Sequence, residues 1–158
     1  RVADQGWSSF ADWQEGTLEL YNVSAVAGNA NDASLVLALR TVDVAEREQA
    51  MLLTGDLEAQ GVQRLIAGGL RSPATLLKLP HHGSGKSEAA RLAALLGSEV
   101  GLVSVGYQNI YRFPSKTLLE HLEEEGLRMY RTDLDGTVRV LLEDAGWHPQ
   151  KWKNGLFR

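Results

Sequence analysis

The side chains with most chemistry to offer fall in two short clusters. Thr54-Gly55-Asp56 follows the apolar run Gln49–Leu53, and Pro80-His81-His82-Gly83-Ser84 follows the next apolar run, Thr75–Leu79. In an open α/β sheet, ligands bind beyond the carboxyl ends of the strands. The order of residues therefore predicts one carboxylate and two imidazoles on one edge of one sheet. That donor set suits zinc, manganese or iron, and a carboxylate can bridge two ions. Glu58, two residues beyond Asp56, opens a helix and is expected at the same rim. An aspartate between strand and helix also fits an N-cap, and a histidine pair is often structural. Two titratable rings where a turn needs only glycine speak for a metal or phosphate site. His121, in a helical stretch, and His148, toward the chain end, read as solvated. Gly83-Ser84-Gly85-Lys86-Ser87 lacks the spacing of a phosphate loop. No G-x-S-x-G elbow occurs, and Ser104 sits at a strand end.

The elements that must carry these residues follow from periodicity. Thr17–Val26 alternates apolar and polar residues as a half-buried strand does. Gly28–Asp32 is a turn cluster, and Ser34–Val42 is apolar enough for a central strand. Asp43–Glu48 fits a hairpin loop before the strand Gln49–Leu53. Leu57, Val62, Leu65 and Ile66 share a helical face, stopped by Gly68-Gly69. The strand Thr75–Leu79, the helix Glu88–Leu96 ended by Gly97, and the strand Val100–Val105 come next. Ser115 caps a helix through Glu125, with Gly126 as its C′ residue. Leu127–Thr132 and Thr137–Leu142 read as strands joined by an Asp135-Gly136 hairpin turn. Trp7, Phe10 and Trp13 lie in a segment that fits either a short helix or a loop, and Trp147 onward reads as a tail. The predicted order is β-β-β-α-β-α-β-α-β-β, an α/β layered sheet with flanking helices. The expected divisions are an N-terminal segment 1–16, one domain over 17–143 and a tail 144–158.

Composition narrows the class. The chain has 158 residues, 44% hydrophobic and 23% charged, which predicts one soluble globular domain rather than disorder. It lacks a run of about 18 uncharged apolar residues, the length a membrane-spanning helix needs. Arg1–Phe10 has no apolar core of a signal peptide. With no cysteine, disulfides, thiolate zinc sites and cysteine nucleophiles are excluded. A net charge of −4 writes no basic groove for nucleic acid; a polyanionic substrate would need a local patch or a bound cation.

Five motifs then occur in order: Asn31-Asp32-Ala33-Ser34-Leu35-Val36-Leu37, Leu52-Leu53-Thr54-Gly55-Asp56-Leu57-Glu58, Leu77-Lys78-Leu79-Pro80-His81-His82-Gly83-Ser84, Val103-Ser104-Val105-Gly106 with Asn109, and Tyr130-Arg131-Thr132-Asp133 with Asp135-Gly136. The series, spanning Leu18–Leu142, resembles the C-terminal metallo-β-lactamase-like domain of the ComEC family of competence DNA-uptake proteins. The resemblance implies an αββα sandwich with a metal site at the sheet edges. It also implies a membrane-channel portion of the same protein, on the extracytoplasmic side of the bacterial inner membrane, and DNA as partner. The implied activity is a nuclease that degrades the non-transported strand. By position, Asp56 would be the bridging metal ligand and His82 a further ligand. His81 and Glu58 would face the substrate phosphate, with Ser84 and Arg112 as substrate contacts. The implied cofactor is a divalent metal, zinc or manganese, up to two ions in the complete domain. A metal-activated water would attack the phosphodiester while the ions neutralise phosphate charge.

Two departures shape the expectation. The H-x-H-x-D-H motif of the first half of such a domain is missing, so the chain reads as the C-terminal half. Phe113 also stands where many relatives carry the histidine of Tyr-Gly-His-Pro, leaving Arg112 as a partial substitute for a phosphate contact. The isolated chain is accordingly expected to be inactive as a nuclease and to self-associate through an uncovered sheet face. The alternatives are a catalytically silent binding or structural module of the uptake channel, and a phosphodiesterase or phosphorylcholine-esterase-like hydrolase outside competence.

Overall fold

The strand β3 (Leu35–Val42) alternates buried with half-exposed side chains, because a pleated strand sends successive side chains to opposite faces. Val36 and Ala38 enter the main core, whereas Leu37 and Leu39 face the other side. The computed structural model describes residues 6–13, 16–22, 29–70, 73–144 and 146–158. Val23–Val26 and Gly28, expected to extend a strand and open a turn, lie outside the described residues. β3 is third in a seven-stranded sheet of order β1-β2-β3-β4-β5-β6-β7, comprising β1 (Gly6–Trp13), β2 (Gly16–Asn22), β3, β4 (Glu48–Leu53), β5 (Leu76–Lys78), β6 (Val100–Val103) and β7 (Arg128–Arg131). The first four strands pair antiparallel, and β4 to β7 pair parallel.

Parallel neighbours need crossovers, supplied here by α1 (Ala59–Ala67), α2 (Ala89–Leu96) and α3 (Lys116–Glu124). Each crossover advances one strand in the same direction, and crossovers share one hand, so the three helices cover one face. α2 packs against both of its neighbours. The core between helices and sheet holds Val36, Leu52, Leu77, Val62, Leu65 and Leu92, all at most 1% exposed. The helix ends follow the expected chemistry. Gly97 takes φ 62° after α2, and the Ser115 hydroxyl accepts from the Leu118 N–H at the start of α3.

Three local readings are corrected. The segment left between helix and loop forms β1, whose Trp7 pairs across the strands with Tyr21, ring centroids 5.1 Å apart. The Asp135-Gly136 hairpin does not form. The Asp135 carboxylate accepts from the Arg131 N–H at 2.9 Å and meets Lys151 Nζ at 2.8 Å, winding residues 132–135 into the short helix α4 (Thr132–Asp135). The chain therefore leaves the sheet edge instead of reversing along it. β8 (Val138–Glu143) then pairs with β9 (Gly146–Lys153), which pairs with β10 (Leu156–Phe157), so the segment read as a tail is part of a second, three-stranded sheet. Trp147 Nε1 donates to Ala50 O at 3.2 Å, tying the small sheet to β4. Among the described residues, no helix is long and apolar enough to cross a membrane.

The β3–β4 connection is closed by Asp43, which accepts from the N–H groups of Ala45 and Arg47 and from the side chains of Arg47 and Gln49. Desolvation pushes its pKa up, but these donors outweigh it and hold the carboxyl below its ordinary value of 3.8. A lowered folded-state pKa contributes stability that is present above the unfolded value and lost as pH falls through the folded one. Denaturant unfolding of Asp43→Asn beside the wild type is expected to show a stability deficit that is constant above about pH 5 and narrows below about pH 4. A deficit that stays the same down to about pH 2.5 would assign the effect to shape rather than charge.

Candidate functional site

The parallel strands end at one edge, and the loops that leave them meet there. Thr54 Oγ1 donates to Lys78 O at 2.8 Å, and the His81 N–H donates to Gly55 O at 3.2 Å. Thr132 Oγ1 accepts from Val105 N at 2.8 Å and donates to Val105 O at 2.7 Å, and Ser115 N donates to Gly83 O at 2.9 Å. The loops after β4, β5, β6 and β7 are thereby tied to one another.

The turn after β5 departs from ordinary backbone geometry. His81, His82 and Gly83 take φ of 45°, 53° and 76°. A left-handed conformation costs a non-glycine residue about 1–2 kcal/mol, and strained backbone of this kind clusters at functional sites. A side chain at position 83 would collide with Pro114, since a Cβ there would lie 2.6 Å from the proline ring. The result aims both imidazoles at the loop after β4. His82 Nε2 lies 3.5 Å from Asp56 Oδ1, and His81 Nδ1 lies 3.2 Å from Glu58 Oε1. The second approach is off the line of the ring N–H, so this buried nitrogen makes no hydrogen bond. The two ring centroids are 6.1 Å apart.

A second set of residues fixes the two carboxylates. Asn31 Nδ2 donates to Glu58 Oε1 at 3.1 Å and Asn29 Nδ2 to Glu58 Oε2 at 3.1 Å. The Asn31 bond is the largest influence on Glu58, and against the opposing effect of desolvation the two amides, His81 and Lys86 keep its pKa below the ordinary value. Asp32, 2% exposed, accepts from the Glu58 N–H at 2.8 Å and the Gly61 N–H at 2.9 Å. It thereby supplies the start of α1 with the acceptor that an N-cap side chain gives elsewhere; Glu58, at the N-cap position, makes no such bond itself. Ser34 Oγ accepts from the Asp56 N–H at 3.0 Å. The Asn31–Ser34 motif is thus the support of the Asp56–Glu58 loop. From below, Lys78 Nζ donates to Gly55 O at 3.0 Å and Leu79 O at 3.2 Å. Burial lowers its pKa from the ordinary 10.5, with the Asp56 charge opposing.

The sequence-predicted residues separate accordingly. Asp56, Glu58, His81 and His82 come together. Ser84 is buried at 4% exposure, its hydroxyl accepting from the Lys86 N–H. Arg112 is exposed on the loop after β6, with φ 56°. His121 and His148 are exposed and away from this edge. Residue-by-residue reading missed Asp32, Asn29, Ser34 and Lys78. The signal for Lys78 was a lone charge in the apolar run Leu76–Leu79, since an interior lysine needs partners.

Two of these side chains are the ones that could hold a metal ion. His82 Nδ1 lies 2.6 Å from Ser104 O; with the proton on Nδ1, it donates there and the lone pair of Nε2 faces Asp56. Metal-binding histidines characteristically donate their second ring N–H to a carbonyl or carboxylate. Asp56 and His82 fit as two ligands. Among the described residues no group of three potential ligating side chains occurs, fewer than the three or four that zinc sites use, so they do not complete a site.

The fold and this edge define an α/β domain with an Asp-Glu-His-His cluster beyond parallel strand ends. No protein-family model matches the chain. It is 33% identical over 109 residues to ComE operon protein 3 of Bacillus subtilis, a match covering 69% of this chain and 13% of that protein. It is 32% identical over 105 residues to competence protein ComA of Neisseria gonorrhoeae, covering 65% and 15%. Recombination protein 2 of Haemophilus influenzae is 28% identical over 123 residues, covering 78% and 14%. The chain matches only about one seventh of the length of these relatives. The similarities support a relationship to the ComEC competence family.

Asp32→Ala removes the acceptor for two N–H groups at the start of α1. Its expected cost is about 1–2 kcal/mol of unfolding free energy, with faster hydrogen exchange at Glu58 and Gly61. Unchanged exchange at those two amides would show that another group holds the loop.

Proposed function

We propose that this chain is part of a ComEC-like DNA-uptake protein and that the Asp56–Glu58–His81–His82 edge acts on a DNA phosphodiester. In this reading the domain is metallo-β-lactamase-like. Asp56 and His82 give two ligands to a divalent ion, zinc or manganese, and further ligands come from outside the described residues. His81, held beside Glu58, faces the phosphate. When bound, the ion supplies positive charge to a phosphate in a chain whose own net charge is −4. DNA and the membrane-channel portion of the same protein are the partners, on the extracytoplasmic side of the bacterial inner membrane.

The observation that carries the reading is the orientation of His82. The contact between Nδ1 and Ser104 O turns Nε2 toward Asp56 Oδ1. Two lone-pair-bearing atoms facing each other repel unless a proton or a cation lies between them. Leu37, Leu39, Met51, Leu53 and Leu102, partly exposed on the face away from the helices, are the kind of strip that the second sheet of an αββα sandwich covers. With two ligands, the chain alone is expected to show little or no nuclease activity.

A catalytically silent binding or structural module of the uptake channel is the second reading. It is favoured by Phe113, whose ring packs edge-on against His81 with centroids 5.4 Å apart, filling space beside the imidazole with an apolar group.

Calorimetric titration of the chain with Zn2+ and with Mn2+ is expected to reveal weak specific binding that Asp56→Ala and His82→Ala each abolish. No uptake by the wild type, or equal uptake by both variants, would remove these residues from the ligand role and leave the silent module.

A further inference from the structure

The loop from Tyr107 to Phe113 carries a feature that the phosphate chemistry does not use. Tyr107, Ile110 and Tyr111 are 74%, 86% and 72% exposed. Single exposed apolar side chains are ordinary, but three within five residues beside a candidate site are not. The loop backbone is fixed: Asn109 Nδ2 donates to Gly106 O at 3.2 Å and Phe113 O at 2.7 Å, and Asn109 Oδ1 accepts from the Phe113 N–H at 3.0 Å. These bonds all lie within the loop, so Asn109 serves the loop itself, and the rings are presented outward on a set frame. Tyr111 stacks on Phe113 with centroids 5.8 Å apart and planes inclined by 21°, and Phe113 leads on to His81. Beside these rings a cleft of about 440 Å³ is lined by His82, Ser104, Asn109, Tyr111, Phe113 and Thr132, within the size range of small-ligand pockets.

We propose that the Tyr107–Phe113 loop is a stacking subsite for the bases of single-stranded DNA, with Tyr111 as its principal platform. The inference rests on the DNA reading above and deepens it. An aromatic side chain and a base present flat faces to each other, and such stacking tolerates any base. A duplex covers those faces with neighbouring base pairs, whereas a single strand exposes them. The exposed guanidinium of Arg112, between the two stacked rings in sequence, adds a positive charge suited to the phosphate linking stacked nucleotides. The loop thus selects a single strand and lays it past His81 and His82.

The test is fluorescence anisotropy with the full 158-residue chain at one fixed ionic strength. The probes are a labelled oligothymidine, an abasic oligomer of the same length and a blunt duplex. The wild type is expected to bind oligothymidine about 10-fold more tightly than the abasic oligomer, and more tightly than the duplex. Tyr111→Ala should remove that advantage while leaving abasic binding unchanged, and Tyr111→Phe should retain it. Because Tyr111 is exposed, neither substitution threatens folding. Equal affinity of the wild type for the base-bearing and abasic oligomers overturns the stacking subsite and leaves the DNA reading standing. So does a preference for the duplex, or equal loss of both oligomers in Tyr111→Ala. Failure of the wild type to bind any of the three probes removes the DNA reading and the subsite together.

Discussion

The Asp32 carboxylate, buried and accepting from the N–H groups of Glu58 and Gly61 and from the Asn29 amide, is the constraint on which the candidate site depends. A carboxylate taken out of water is costly unless its lone pairs find donors, and the free N–H groups at the start of α1 provide them. Satisfying both at once fixes the 31–34 turn against the helix. Glu58 is then held between two asparagine amides, and Asp56 is held in turn through its N–H to Ser34. The spacing from Asn31 to Ser34 therefore matters because three of its side chains serve three different groups on a loop more than 20 residues away.

The histidine turn is held from the other side. Its left-handed residues persist only where the surroundings over-determine them, and here several contacts do so. The His81 N–H is bonded to Gly55 O, Ser84 N to His81 O, and Gly83 O receives the Ser115 N–H. Lys78 adds an ammonium shared between the two loops. Opposite charges and fixed dipoles thus converge under a pair of rings that remain partly open to solvent. The strain lies in the residues that face outward, and the compensation lies in those that face inward.

Much of this was legible because strand ends are marked by composition. Apolar runs stopping at Thr54-Gly55-Asp56 and Pro80-His81-His82 give away both the parallel sheet and the edge where Asp56, Glu58, His81 and His82 meet. Asp135-Gly136 misleads for the opposite reason. Its turn signal is local, while the partners that decide its geometry, the Arg131 N–H and Lys151, include one 16 positions away. The segment from Trp147 onward has the same character, since its strands exist only through pairing with β8 and seating on Ala50. Ser84 shows the limit most clearly: this polar side chain beside the histidines turns inward, and that outcome is not written in residue type.

Charge then decides what the edge can hold. Lys78, the cation placed nearest the Asp56 loop from within the sheet, has its ammonium directed at two carbonyl oxygens. A partly buried ammonium engaged in this way organises backbone and is poorly placed to meet a phosphate as well. Among the described residues, the exposed cations near the edge are Lys86 and Arg112, and Lys86 already acts on Glu58. Against them stand the carboxylates of Asp56 and Glu58, so the described residues of the edge carry no surplus of fixed positive charge. A polyanion can be held under these conditions by a cation brought to Asp56 and His82, or by interactions that do not depend on charge. Exposed rings such as those of Tyr107 and Tyr111 are suited to the second kind, because stacking acts on bases and leaves phosphates in water. Both groups of residues lie on the same rim, since the Tyr111–Phe113 rings reach His81 through the 5.4 Å contact between Phe113 and His81.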